Sequence, residues 1–155
     1  WWCNMKTKHA TIAADNFKKG YNCAQSVFLT YAKDFGFDED TALRLSSSFG
    51  GGMGRLREVC GAVSAMFMIA GLAKGYVENN NDTVKAMHYE RIQKLAKKFT
   101  DKHGTIICRE LLGETAGKDT SFVPSARTTE YYEVRPCEQF IIDACEIIDE
   151  ELSMV

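Results

Sequence analysis

The chain has few of the features that would assign it to a class at once. Only 2 of its 155 residues are proline, and its 19 Lys and Arg are nearly balanced by 21 Asp and Glu, for a formal net charge of −2. No basic cluster tracks an aromatic series, which argues against nucleic acid as a partner. No long stretch alternates apolar and polar residues with period two, so nothing calls for a sheet. The uncharged segment Val59 to Ala73 would rise about 22 Å as a helix, too little for a hydrocarbon core about 30 Å thick, so no membrane insertion is expected. No internal repeat or low-complexity tract interrupts the chain.

The cysteines lack the spacings that usually explain them. There are 6 of them, below the roughly 8–10% typical of disulfide scaffolds, and no secretory signal precedes them. A reducing, cytoplasmic setting is therefore expected, with the thiols serving as chemistry or as filling. No pair is arranged as CxxC or CxxxC, which excludes the local motifs of zinc fingers, thioredoxin-like proteins and common ferredoxins. The opening Trp1-Trp2-Cys3-Asn4 has no initiator Met. It is expected to be a remnant or a disordered start, leaving one domain over residues 5–155.

What the sequence does have is apolar residues at helical spacing nearly throughout, so the expected fold is all-α, a compact bundle of about five to seven helices. A first helix is predicted over about 6–19, ending at Gly20. A second starts at Asn22, whose side chain and that of Gln25 form a capping box that makes Cys23 the first helical residue. Asp38 caps a third over about 39–48. The run Gly50-Gly51-Gly52-Met53-Gly54 is too rich in glycine to stay regular; it lacks the Lys-Ser/Thr of a P-loop and reads as a plain loop. A buried central helix near 58–75 follows, with Gly61, Ala62, Ala65, Ala70 and Gly71 permitting close helix approach. A long amphipathic helix at about 83–103 presents Tyr89, Ile92, Leu95, Ala96 and Phe99 inward. Thr105 caps a short helix containing Cys108, residues 113–135 lack a persistent period, and Pro136 introduces a last helix. Its stripe is Phe140, Ile141, Ala144, Cys145, Ile148 and Leu152, and its acidic residues at 143–151 are read as a wet face. His9, His88 and His103 are read as surface or helix-end residues.

Against these helices, Cys23, Cys60, Cys108 and Cys137 all fall in or beside a first turn, where free amides and the helix dipole favour an anion. Four such placements point to helix ends aimed at one negatively charged centre, assembled by tertiary structure. Cys145 lies eight residues beyond Cys137, about 12 Å along a helix, too far to share one small centre, and is read as a buried small hydrophobe. Arg55, Arg57 and Arg109 adjoin these cysteines and either lower thiol pKa values or offset a cluster's charge, or else lie solvated.

The stretches "GYNCAQSVF", "FGGGMG" followed by "CGAVSA", "CRELLG" and "CEQFI" together resemble the C_GCAxxG_C_C family of redox-active proteins, defined by four cysteines and a CGAxxG-type motif. The likeness runs from about residue 12 to 150, with Ala65 where the motif ends in glycine. It implies an α-helical redox protein with Cys23, Cys60, Cys108 and Cys137 as the site. The family is similar to the cluster-binding part of the split-Soret cytochromes, which implies an iron–sulfur cluster on the four cysteines. Haem attachment is not implied, since the chain has no CxxCH.

The leading expectation is a four-cysteine iron–sulfur centre for electron transfer or redox sensing, working with a redox partner protein and possible as a homodimer. Two alternatives stay open. One is a thiol–disulfide oxidoreductase with Cys23 and Cys60 as catalytic thiols, Cys23 attacking. The other is a structural zinc module with all four cysteines as ligands.

Overall fold

Helix-forming stretches separated by capped turns give the chain its architecture, which a computed structural model describes for residues 7–154. In order the helices are α1 (Lys8–Lys18), α2 (Cys23–Ala32), α3 (Glu39–Ser47), the short turn α4 (Gly50–Met53), α5 (Gly61–Lys74), α6 (Asp82–His103), α7 (Cys108–Ala116), α8 (Thr129–Val134) and α9 (Cys137–Glu151). The all-α expectation is met. Among the described residues the β structure is one isolated antiparallel bridge, Val59 with Ile107, and no helix is long and apolar enough to cross a membrane. The expectations for residues 1–4, Cys3 included, lie outside the described residues.

The predicted caps form where the side chains allow them. Asn22 accepts from the Gln25 amide while Gln25 reaches back to the Asn22 amide, and Asp38 accepts from the Thr41 amide. Helix α2 is shorter than expected, because a 3-10 turn over Lys33–Phe35 leads into the left-handed Gly36. Thr105 does not cap α7. Its hydroxyl accepts from the Ile107 amide, and the helix begins three residues later, at Cys108. The aperiodic region contains α8, too short for a period to register, and a break in α7 at Gly113 (φ 84°).

Helices α2, α5 and α9 form the centre, with α1 against α2 and α9, α3 against α2, and α6 across α5 and α9. Helix α5 is buried over most of its length, from Gly61 to Met66 and again at Ile69 and Ala70. The expected α9 stripe is buried throughout, with Ile142 and Ile147 added. Tyr89 is a correction: it is half exposed and hydrogen-bonds the Tyr76 hydroxyl at 3.1 Å, because α6 leans on its neighbours mainly through Leu95 and Phe99. Gly71 approaches nothing closely.

Two acids of the supposed wet face are buried as well. Asp143 lies 2.7 Å from His103 Nε2, and Asp149 lies 2.8 Å from His9 Nδ1 and accepts from the Tyr31 hydroxyl at 2.9 Å. A period-based reading misses this because α9 is covered on several sides, and buried carboxylates persist only when hydrogen-bonded.

Burial separates two otherwise similar truncations. Met66→Ala should cost about 2–5 kcal/mol in urea unfolding, and Tyr89→Ala less than about 1 kcal/mol.

Candidate functional site

Three backbone hydrogen bonds join the starts of α5 and α7. The Cys60 amide donates to the Ile106 carbonyl at 2.8 Å, the Cys108 amide to the Glu58 carbonyl at 2.6 Å, and the Arg109 amide to the Arg57 carbonyl at 3.2 Å. Neither helix has a side-chain cap. Each starting segment therefore gives the other a backbone partner, which removes amides that a helix start otherwise leaves unpaired. The pairing places Cys60 opposite Ile106 and Cys108 opposite Glu58, at the two ends of one short antiparallel ladder.

Cys23 reaches the same place from α2. A side chain on Gly61 would run into the Cys23 sulfur and stand 2.9 Å from the Phe49 carbonyl, so the glycine after Cys60 is what lets the start of α2 settle on the start of α5. A Cβ on Gly52 would lie 2.6 Å from the Cys108 Cβ and 2.9 Å from the Arg57 Cα. The glycine run is thus a packing device around the cysteines. Five successive residues, Gly51 to Arg55, have positive φ, and so does Arg57 at 63°. Such a conformation costs a non-glycine residue about 1–2 kcal/mol and collects at functional sites.

Cys23, Cys60, Cys108 and Cys137 all line one cavity of about 190 Å³. Cys145 does not; it is wholly buried in the core. Among the described residues no group of three or more His, Cys, Asp or Glu is placed to hold a metal ion as it stands.

Burial dominates the thiols. Cys60 is pushed well up by desolvation and by the neighbouring Cys23, although the Ala62 and Val63 amides favour its thiolate. Cys137 is pushed up to about 12 by burial and by Cys23, against the pull of Arg135. Cys108 rises with burial despite Arg57. For these three, the expectation that a helix start makes the thiol more acidic is overturned, because losing water costs the thiolate more than the helix amides return.

Arginines surround the thiols. Arg55, Arg57, Arg127 and Arg135 line the cavity, whose lining includes no Asp or Glu. Arg57 is almost wholly buried, and its Nη1 stands 3.8 Å from Cys108 Sγ. Arg55 pairs with Asp119 at 3.0 Å, and its buried Nε has no partner. Arg127 donates to the Phe17 and Tyr21 carbonyls at 3.0 and 2.9 Å and lies over the Phe17 ring. Arg135 lies over Tyr131. Among the described residues Arg57, Arg127 and Arg135 form no ion pair with a carboxylate. Arg109 is not part of the site, since it pairs with the exposed Glu58. Sequence reasoning missed Arg127 and Arg135, which lie in the aperiodic segment; the only local hint was Arg135 two residues before Cys137.

The sequence profile of one protein family, described as "Putative redox-active protein (C_GCAxxG_C_C)", matches residues 21–151, a span that holds all four cavity cysteines. The chain belongs to this family. No curated protein and no solved structure gives a significant match. In this family member the small residue required after Cys60 has a visible cause in the Cys23 sulfur. Ala65, where the motif has glycine, is wholly buried in α5.

Two outcomes test this geometry. Gly61→Ala should destabilise the chain by about 1–3 kcal/mol in urea unfolding and open the cavity by displacing Cys23, seen as faster alkylation of Cys23 in the folded protein. The raised Cys137 pKa stabilises the metal-free fold below the thiol's ordinary value of 9.0, and that contribution is lost as pH climbs from there toward about 12, because the unfolded chain then binds fewer protons than the folded one. Thermal unfolding of metal-free protein should therefore show a falling Tm above about pH 9, less steep in Cys137→Ala.

Proposed function

We propose that the four cysteines hold an iron–sulfur cluster used for electron transfer or redox sensing. The observation that carries this reading is the cavity's charge. Three arginines without carboxylate partners stand around four thiols in a lining free of Asp and Glu, and buried cations need compensating negative charge. A thiolate-ligated cluster supplies such charge, and so would zinc on four thiolates; a disulfide, being neutral, would not.

The family to which the chain belongs is described as redox-active, and zinc has no redox chemistry of its own, which favours the cluster over zinc. Cys23, Cys60, Cys108 and Cys137 would be the ligands, and the cluster would supply one-electron chemistry at a potential set by its surroundings. The protein's own part is to exclude water, to hold the thiols at helix starts, and to balance their charge with arginine. A thiol–disulfide role for Cys23 and Cys60 is less supported, because Cys60 is buried and held protonated.

The electron would be exchanged with a separate redox protein, and the cytoplasm would keep the thiols reduced and loadable. Protein purified without oxygen should be coloured, with a broad visible absorption and iron and acid-labile sulfide in matching amounts. Colourless protein with stoichiometric zinc, or without metal, would refute the reading. Cys→Ser changes at any of the four should each remove the colour, while Cys145→Ser should leave it.

A further inference from the structure

We propose that Arg57 sets the reduction potential of the four-cysteine centre, its fixed buried charge favouring the reduced state; this rests on the iron–sulfur reading above. Arg57 is the most deeply buried of the cavity's arginines, 3% exposed. Its backbone is held on both sides: its carbonyl accepts from the Arg109 amide at 3.2 Å, and the next amide, that of Glu58, donates to the Gly52 carbonyl at 2.9 Å. Its Nε donates to the Asp119 carbonyl at 2.9 Å, which leaves Nη1 toward Cys108 Sγ at 3.8 Å. Gly52 is packed against both Arg57 and Cys108.

The other cationic side chains are engaged differently. Arg55 has the Asp119 carboxylate, Arg109 has Glu58, Arg127 lies on carbonyls and rings, and Arg135, half-buried, lies over the Tyr131 ring, bonds Ser125 and acts by hydrogen bond on Cys137, not on Cys108. Arg57 has a carbonyl and a thiol. A buried cation without a counter-charge and a non-glycine residue at positive φ are both unfavourable. Both become intelligible if the residue faces an anionic centre. Reduction by an external one-electron donor adds one negative charge to that centre, with no bond made or broken and no proton moved. A cation fixed beside a ligating sulfur stabilises the product of that step more than its starting state, and so raises the potential.

The test uses the full chain purified without oxygen, with iron and sulfide counted and the potential read from the visible spectrum in a mediated titration. Arg57→Met should lower the reduced-to-oxidised ratio at a given ambient potential by tenfold or more, about 59 mV for one electron. Arg57→Lys, which keeps the charge, should stay within threefold of the parent. In metal-free protein Arg57→Met should unfold at the same or a higher temperature, because it removes an uncompensated buried cation; a purely structural Arg57 would show a lower Tm. A Met variant with a full cluster and an unchanged potential overturns the proposal. So does a Lys variant that keeps its cluster but shifts tenfold, which decides the matter where the Met variant loses its cluster. Parent protein without iron and sulfide would instead sink the underlying reading.

Discussion

The site depends on two backbone segments, 57–60 and 106–109, hydrogen-bonding to each other where two helices begin. A helix start leaves amides without partners, and most are met by a side-chain cap, as at Asn22 and Asp38. Helices α5 and α7 have none. Their starts instead share partners, so Cys60 and Cys108 cannot move apart without unpairing buried amides, which costs roughly 1–3 kcal/mol for each. Gly61 then admits the Cys23 sulfur, and Pro136 introduces Cys137 as the first residue of α9. A mainly helical bundle gains one small element of β pairing, placed where rigidity serves the thiols.

Around this frame, two kinds of group sit in environments that neither would choose alone. Cys60 and Cys108 are buried and Cys137 is half-buried, and loss of water favours the protonated thiol at all three. The arginines are buried or half-buried with no acid in the cavity lining. Thiolates would satisfy the arginines, and arginines would stabilise thiolates, but desolvation opposes forming either charge without a further partner. The proposed metal centre would resolve both demands at once by drawing protons off the sulfurs. The left-handed stretch from Gly51 to Arg55, with Arg57 beyond it, brings Arg55 and Arg57 to this place against local backbone preference.

Much of this is legible in the sequence, and the parts that are not have definite reasons. Asn22 with Gln25, and Asp38 before its helix, are local signals read by local chemistry, and they hold. The α9 stripe holds because burial follows the helical period. The grouping of Cys23, Cys60, Cys108 and Cys137 is visible as a shared position in helices, although 37, 48 and 29 residues separate them in turn. What escapes is non-local. The 57–60 and 106–109 pairing is too short to leave a period, the burial of Asp143 and Asp149 depends on His103 and His9 arriving from other helices, and Arg127 and Arg135 lie in a segment without periodicity. The acidity expected of Cys60, Cys108 and Cys137 at their helix starts fails because sequence position records the dipole but not the loss of water.

The most direct test of the account is a crystal structure of anaerobically purified protein with anomalous diffraction recorded at the iron edge. The account predicts a compact iron peak inside the cavity, bounded by the sulfurs of Cys23, Cys60, Cys108 and Cys137, with Arg57 still against Cys108. An iron-free cavity closed by a disulfide between two of these cysteines, or iron bound elsewhere on the chain, would contradict it.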